Sequence, residues 1–294
     1  MYLLVNDWPP YFQRAWALPL IVYFATGACG RIGFDGLGGA STEDAAPAEN
    51  DSAQAEQDGG VPPLLAGCPG VPWDAAFVVI PFDDQSLSAT VTSALNVVSG
   101  EPDGRCVESG GGCATIGVGR AGKGMSLTGD SALRVDLHDR EFGDSGITVS
   151  MWAYIVDGNN HTYVAKGISG PETSFLVRKT TGTTIQLYHE AAEGSGSDNT
   201  SQLGTSEQWH HIVVRWSGTA GDLNLMVDGN PGITSSEVTL LWDAQTDLTF
   251  GVNLSSGFAS GYARGSIDEL LIFDRWLSDA ELAAVRNCAD RAGS

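Results

Sequence analysis

The segment SIDELLIFDRWLSDAEL, residues 266–282, changes its hydrophobic period about halfway along its length. Its first half alternates every second residue, which predicts a β-strand. One face of that strand is expected to carry Ile267, Glu269, Leu271 and Phe273, and the other Asp268, Leu270, Ile272 and Asp274. Because both faces contain apolar residues, the strand is predicted to be covered on both sides.

The second half of the segment predicts a short helix that begins after Ser278 and ends near residue 286 or 287. Ser278 and Glu281 have the spacing of a capping box, in which each side chain accepts a hydrogen bond from the backbone N–H of the other. Leu282 and Val285 lie three residues apart, so both are expected to face inward. The helix is therefore predicted to close the fold rather than to build its core.

Composition restricts the class of protein. The chain has 15 Lys and Arg against 36 Asp and Glu, a net charge of -21. This charge argues against nucleic acid or an anionic membrane surface as a partner. The 38 glycines, with few lysines and many β-branched and aromatic residues, are typical of an extracellular β protein.

Residues 15–28, AWALPLIVYFATGA, form an uncharged, mostly apolar stretch that ends directly before Cys29. The stretch is too short to span a bilayer and has the character of a secretory signal core. The sequence TGAC resembles the lipobox of bacterial lipoproteins, which implies a signal peptide over residues 1–28 and a lipid on Cys29. Ordinary signal cleavage near Ala28, or a short buried helix, is the alternative. Gly30 rather than Asp follows the cysteine, which favours the outer membrane or cell surface.

Residues 29–65 are predicted to be a disordered, acidic tether. Residues 38–63 contain acids, Ala, Ser, Gly and Pro but no basic or aromatic residue, so they cannot bury enough apolar surface to fold. Repulsion between like charges favours an extended chain. The lipid anchor is then expected to be the only membrane contact, although an acidic interaction motif is an alternative interpretation.

The other four cysteines are expected to form two disulfides, since they lie in an exported segment. We predict a bridge between Cys106 and Cys113, because CVESGGGC is a flexible loop that can close on itself. A second bridge between Cys68 and Cys288 would hold the two ends of the domain together, and the closing helix would deliver Cys288 to it. A zinc site is the competing use, but neither a CxxC spacing nor a nearby histidine supports it.

Many short alternating runs separated by turn residues lie between these cysteines. They include residues 73–82, 124–137, 147–156, 161–167, 174–180, 183–190, 208–218, 222–230, 233–240 and 246–252. Strands at such regular spacing, with almost no helix, predict a two-sheet antiparallel sandwich.

The order of ITVSMWAYI, WHHIVVRWSG and GSIDELLIFDRWLSDAEL resembles the LamG-like, concanavalin A-type jelly roll over about residues 70–288. In this family, a strand that ends in an aromatic residue is followed by R-x-L-S-x-x-E and a short closing helix, as in residues 267–281. The resemblance implies an all-β jelly-roll sandwich with a C-terminal helix over residues 66–289. Residues 290–294 would then be a tail.

Catalysis is not expected from the carboxylates. Laminarinase-type glycosidases of this fold carry E-x-D-x-E or E-x-D-x-x-E on one strand, and neither pattern occurs here. Asp268, Glu269 and Asp274 match the family's structural strand instead. Adjacent His210 and His211 should point to opposite faces, one in the core and one on the surface, so they cannot serve one metal or one base. A glycoside hydrolase or lyase remains the alternative.

Calcium is the one cofactor that the resemblance suggests, through loop oxygens at the rim of a sheet. The candidate ligands are Asp83, Asp84, Asp157, Asn159, Asn160, Asp228 and Asn230. Each also fits ordinary turn chemistry, above all Asp228 before Gly229, which predicts a hairpin turn. Trp242, between two strands, is the candidate exposed aromatic for a ligand, although it could instead plug one end of the sandwich.

These features predict a lipid-anchored surface protein with a noncatalytic binding or adhesion module. Its ligand is expected to be a glycan or an extracellular protein, bound at a loop rim, and the chain is expected to be a monomer. The alternatives are a carbohydrate-active enzyme and a structural envelope protein without a specific ligand.

Overall fold

Two antiparallel β-sheets and one C-terminal helix make up the part of the chain that the structure describes. The computed structural model describes residues 68–98, 100–107, 112–137, 140, 142, 144–156, 158, 160–167, 173–191, 194–202, 206–240, 246–255 and 258–292. Within those residues, no helix has the length and apolar character that a membrane span needs.

The bounds of the elements follow in chain order. The strands are β1 (Ala76–Ile80), β2 (Ser93–Ala94), β3 (Gly104–Cys106), β4 (Thr115–Val118), β5 (Lys123–Thr128), β6 (Leu133–Val135), β7 (Ile147–Ile155), β8 (His161–Gly167), β9 (Thr173–Lys179), β10 (Thr184–Ala191), β11 (Gly194–Gln202), β12 (Gln208–Trp216), β13 (Leu223–Val227), β14 (Asn230–Ser235), β15 (Leu248–Phe250), β16 (Asn253–Ser255), β17 (Phe258–Ser260) and β18 (Arg264–Phe273). The helix α1 is Asp279–Ala292, and single 3₁₀ turns occupy Trp73–Ala75 and Gly218–Ala220.

The two large sheets pack face to face, as the alternating pattern predicts. The first sheet has the order β14-β13-β12-β7-β18-β5-β4, and β1 also pairs with β18. The second sheet has the order β11-β10-β9-β8-β15-β6-β3-β2, and β16 and β17 form a separate hairpin. Side chains from the inner faces of both sheets form one large apolar core, which confirms the predicted sandwich.

A second apolar cluster lies on the outer face of the first sheet. It contains Val213, Met226, Leu271 and Phe273 from the sheet, and Leu282 and Val285 from α1. Both faces of β18 are therefore covered, as predicted. The inward orientation of Leu282 and Val285 is also confirmed.

The strict alternation predicted for β18 is wrong, because the strand contains a β-bulge. The register against β7 shifts between Asp268 and Leu271, and Glu269 has a left-handed φ of 50°. Beyond the bulge, Leu270 rather than Glu269 continues the inner face of Ile267. The extra residue keeps the Glu269 carboxylate out of the apolar core, where a charge would be strongly unfavourable.

The helix α1 begins as the sequence predicts but extends further. The Ser278 Oγ accepts a hydrogen bond from the Glu281 backbone N–H (3.3 Å), and Glu281 Oε2 accepts one from the Ser278 N–H (2.8 Å). The helix then continues to Ala292, beyond the predicted end at 286 or 287. It ends directly before Gly293, a residue type that commonly terminates helices, and this signal was overlooked.

Both predicted disulfides are present. Cys68 is bonded to Cys288 across a sequence separation of 220, and Cys106 to Cys113 across a separation of 7. The first bridge attaches α1 to the chain just before β1. The helix therefore delivers Cys288 to the start of the domain, as the sequence predicts.

The strand predictions need correction in two respects: the start of β14, and six strands that were not predicted, β2, β3, β4, β11, β16 and β17. β14 begins at Asn230, directly after the hairpin turn, and not at residue 233. β11, with the sequence GSGSDNTSQ, was not predicted, because it lacks the apolar alternation that marks a half-buried strand. It pairs with β10 at the edge of the second sheet.

Candidate functional site

The outer face of the second sheet carries a group of polar side chains on two neighbouring strands. Alternate positions of β9 and β10 are apolar and point into the core: Phe175, Val177, Ile185 and Leu187. The intervening positions point outward. We call four of them, Arg178, Gln186, Tyr188 and Glu190, the β9–β10 face.

Hydrogen bonds hold these four side chains in place. Arg178 lies opposite Gln186 in the register, and its Nε donates to Gln186 Oε1 at 3.0 Å. The Tyr188 hydroxyl donates to Glu190 Oε1, two residues along the same strand, at 2.7 Å. All four residues are half-buried, so they combine partial solvent access with restricted rotamers.

A neighbouring hairpin limits this face on one side. The strand β16 contacts β8, and a Cβ on Gly167 would lie 2.8 Å from the Leu254 carbonyl oxygen. The Thr162 backbone N–H donates to Gly261 O at 2.7 Å. The outer side of β8 is thus covered, and Leu176 on β9 is also buried, so the polar surface begins at the half-buried Arg178.

The chemistry of the β9–β10 face suits a neutral ligand with many hydroxyl groups. The Tyr188 ring offers an apolar surface together with a polar hydroxyl. Arg178 and Glu190 contribute one positive and one negative group, while Gln186 has both donors and acceptors. Opposite charges in equal number favour hydrogen bonding to a neutral polar molecule over binding of an ion.

The calcium candidates that the structure describes do not form a metal-binding group. Asp83 Oδ1 accepts a hydrogen bond from the Lys123 backbone N–H at 2.8 Å, so this carboxylate stabilises a turn. Asp84 is exposed, and Asn160 has a left-handed φ of 60°. Asp157 and Asn159 lie outside the described residues. In the described part of the chain, no group of three acidic, histidine or cysteine side chains is arranged to hold a metal ion.

The predicted turn at Asp228 and Gly229 is confirmed. Both residues have positive φ, 55° and 77°, and they connect Val227 to its partner Asn230. The Asp228 carboxylate also bonds to β12: Oδ2 lies 2.7 Å from His210 Nδ1, and Oδ1 accepts from the His211 N–H at 2.9 Å. Although burial opposes its charge, these hydrogen bonds keep the pKa of Asp228 below its usual value.

The prediction that one of the two adjacent histidines lies on the surface is wrong. His210 is 3% exposed and His211 2% exposed. Their neighbours Ile212 and Val213 belong to the two different apolar clusters, so the side chains do alternate between faces. His211 is buried because α1 covers its face of the sheet, which the local sequence does not reveal.

Asp268 has the structural role that the sequence predicts. Its Oδ2 accepts hydrogen bonds from the backbone N–H groups of Arg120 (2.7 Å) and Ala121 (3.0 Å), and its Oδ1 accepts from the Glu269 N–H (2.8 Å). Burial raises its pKa to about 7 against the opposing effect of these bonds. Through these hydrogen bonds the carboxylate connects the turn before β5 to the bulge of β18.

Two of the four tryptophans in or beside β7, β12 and β18 are buried. Trp152 is 5% exposed and Trp216 9% exposed, while Trp209 and Trp276 are half-buried. Trp242 and the proposed lipidation residue Cys29 lie outside the described residues. The sequence analysis did not predict the β9–β10 face, although alternation in TTIQLYHE separates Gln186 and Tyr188 from the core.

Comparison with known proteins identifies the family. The model of the concanavalin A-like lectin/glucanases superfamily, in its laminin G form, matches residues 128–283, just over half of the chain. The chain belongs to this superfamily. No curated protein matches its sequence significantly. The match of the family model confirms the resemblance drawn from residues 267–281.

Solved structures share the fold at low sequence identity. Domain 4 of the extracellular arabinanase AbnA from Geobacillus stearothermophilus, solved with arabinotriose, has a TM-score of 0.52 and 17% identity; the match covers 73% of this chain and 98% of that domain. The binding domain of botulinum neurotoxin serotype D has a TM-score of 0.53 and 13% identity, over 73% and 52% of the two chains.

A sialidase from Trypanosoma rangeli has a TM-score of 0.55 and 14% identity. The match covers 76% of this chain but only 34% of the sialidase, so this chain spans about a third of that enzyme. At these identities, all three likenesses show a shared fold alone.

Proposed function

We propose that this domain is a noncatalytic carbohydrate-binding module. The observation that carries the proposal is the β9–β10 face, where a half-buried tyrosine lies beside hydrogen-bonded Arg, Gln and Glu side chains. An aromatic ring can stack on the C–H face of a sugar, while planar polar groups bind its hydroxyls. Domain 4 of the arabinanase, of the same fold, was solved with a bound oligosaccharide, which is consistent with this proposal.

Presentation at a cell surface completes the proposal. A lipid on Cys29 would anchor the chain, and the acidic tether over residues 29–65 would hold the domain away from the membrane. In this arrangement the module serves adhesion to a glycan, and the two disulfides suit an oxidising extracellular compartment.

Binding to a glycan array tests this function. The oxidised protein should bind a subset of immobilised glycans, and the signal should persist in EDTA if the β9–β10 face rather than a calcium site carries binding. Tyr188→Ala should reduce the signal at least about tenfold, because it removes the stacking surface and the hydrogen bond to Glu190. Arg178→Ala should weaken binding to the same glycans.

Tyr154→Ala is the matched control. Tyr154 is also half-buried on a strand, but it lies on the first sheet and packs against Trp209 with ring centroids 5.7 Å apart. This variant should bind like the wild type. If the wild type binds no glycan on the array, or if Tyr188→Ala binds as strongly as the wild type, the proposed function of this face is refuted.

A further inference from the structure

A cavity of about 260 Å³ lies between α1 and the hairpin of β13 and β14, on the outer face of the first sheet. The floor is formed by Val213 and Met226, and Leu282 closes it from the helix side. Polar groups at the walls come from His211, Asp228, Asp279, Arg286 and Asn287. The volume is just below the range of sites for drug-sized molecules, and so suits a ligand of a single ring.

Both carboxylates that line the cavity, Asp228 and Asp279, bond to residues of β12, and Arg286 is held beside Asp228. Asp279 forms an ion pair with Arg215 at 2.7 Å, and both Asp228 carboxylate oxygens bond to residues of β12. Arg286 donates from Nη1 to the backbone oxygen of Asp228. Its charge also helps to lower the pKa of Asp228. The guanidinium is thus oriented by a hydrogen bond from one of its five N–H groups.

His211 adds a second polar group that is nearly completely buried. It is 2% exposed, and its Nε2 lies 2.9 Å from the Ser150 hydroxyl. Burial, and then the charge of Arg286, lower the pKa of His211 to about 3, so the imidazole is neutral. It can donate or accept a hydrogen bond without repelling a ligand.

We propose that this cavity binds a single sugar ring that carries a carboxylate, of the uronic acid class. Arg286 binds the carboxylate, which in a chain of net charge -21 needs a local cation. Val213, Met226 and Leu282 pack against the apolar face of the ring. His211 and the exposed Asn287 bond to its hydroxyls. The site lies on the opposite sheet from the β9–β10 face, so it does not depend on the function proposed for that face.

Calorimetric titration with D-glucuronate and D-galacturonate tests the proposal in the full oxidised protein. At least one of these acids should bind about tenfold or more tightly than the matching neutral sugar, glucose or galactose. Arg286→Gln should reduce that preference to less than about twofold. Equal affinity of the wild type for the acid and the neutral sugar, or no binding of either acid, would overturn the proposal.

Two further variants separate this site from a folding defect and from the β9–β10 face. Ala283→Leu narrows the cavity at an exposed position of α1, where leucine is compatible with a helix, and should abolish uronate binding with Arg286 intact. Tyr188→Ala should leave uronate binding unchanged. If Ala283→Leu binds like the wild type, or Tyr188→Ala loses the acid, the ligand does not occupy this cavity.

Discussion

Replacing Glu269 by Gln should increase the stability of the protein at alkaline pH. Glu269 is 8% exposed and lies beneath α1, where it lines a small cavity with Trp73 and His211. Burial, and then the charges of Asp268 and Asp83, raise its pKa from 4.5 to about 8. Glutamine keeps the shape of the side chain but has no charge to desolvate.

The sign of the pH dependence follows from the raised pKa. Between about pH 4.5, the usual pKa of glutamate, and about pH 8, its pKa in the folded protein, the folded protein binds more protons than the unfolded chain. The contribution of Glu269 to stability is therefore fully present below about pH 4.5 and is lost as the pH rises through about 8. At about 1.36 kcal/mol per pH unit, the free energy of unfolding that is lost across this interval is at most about 5 kcal/mol. We expect Glu269→Gln to raise the free energy of unfolding by about 2 to 5 kcal/mol relative to the wild type at pH 9. At pH 4.5 the two proteins should have nearly the same free energy of unfolding.

Urea denaturation of the oxidised protein from pH 4 to 9 measures this effect. The wild type should lose stability across the range, and Glu269→Gln should have a flatter profile. Asp274→Asn is the control, since it removes an exposed carboxylate directly after the same strand and should keep the wild-type profile. A Glu269→Gln profile parallel to the wild type, or a variant less stable than the wild type at pH 9, would refute the reasoning.

Three further predictions concern the disulfides, the cap of α1 and the lipid anchor. Cys288→Ser should lower the free energy of unfolding by about 5 kcal/mol and Cys113→Ser by only about 2.5 kcal/mol, because the sequence separations that the two bridges close are 220 and 7; equal losses in urea denaturation would contradict this account. Ser278→Ala should cost about 1 kcal/mol through the lost cap of α1, and an unchanged urea midpoint would contradict that role. Cys29→Ala should abolish incorporation of radiolabelled palmitate in cells, whereas label that persists would disprove the anchor.

Features whose signals lie within a few residues were predictable. The capping box at Ser278 and Glu281 needs only its own turn of helix, and the turn at Asp228 and Gly229 needs only two residues of positive φ. The strand over 161–167 was predicted with its observed bounds because its flanks are turn residues. β11 was missed, since an edge strand of Gly, Ser and Asn has no apolar face and forms only because β10 offers free backbone groups.

The candidate site was less predictable than the fold. Alternation in β10 separates the outward Gln186 and Tyr188 from the core, but a single strand does not show which neighbours they meet. The pairing of Gln186 with Arg178 depends on the register between β9 and β10. The cavity under α1 depends on where Arg286 lies relative to a hairpin turn 58 residues earlier in the chain.

By itself, the sequence determined the fold class, the closing helix and both disulfides, because period, cap and cysteine spacing act locally or through the covalent chain. Only the tertiary structure decided the bulge at Glu269, the burial of His211 and the pairing of Gln186 with Arg178. Asp268 illustrates the reason: it accepts hydrogen bonds from backbone N–H groups 147 and 148 residues away, and such partners exist only once the sheets have packed. Burial of charge is a property of the assembled layers, so no local pattern records it.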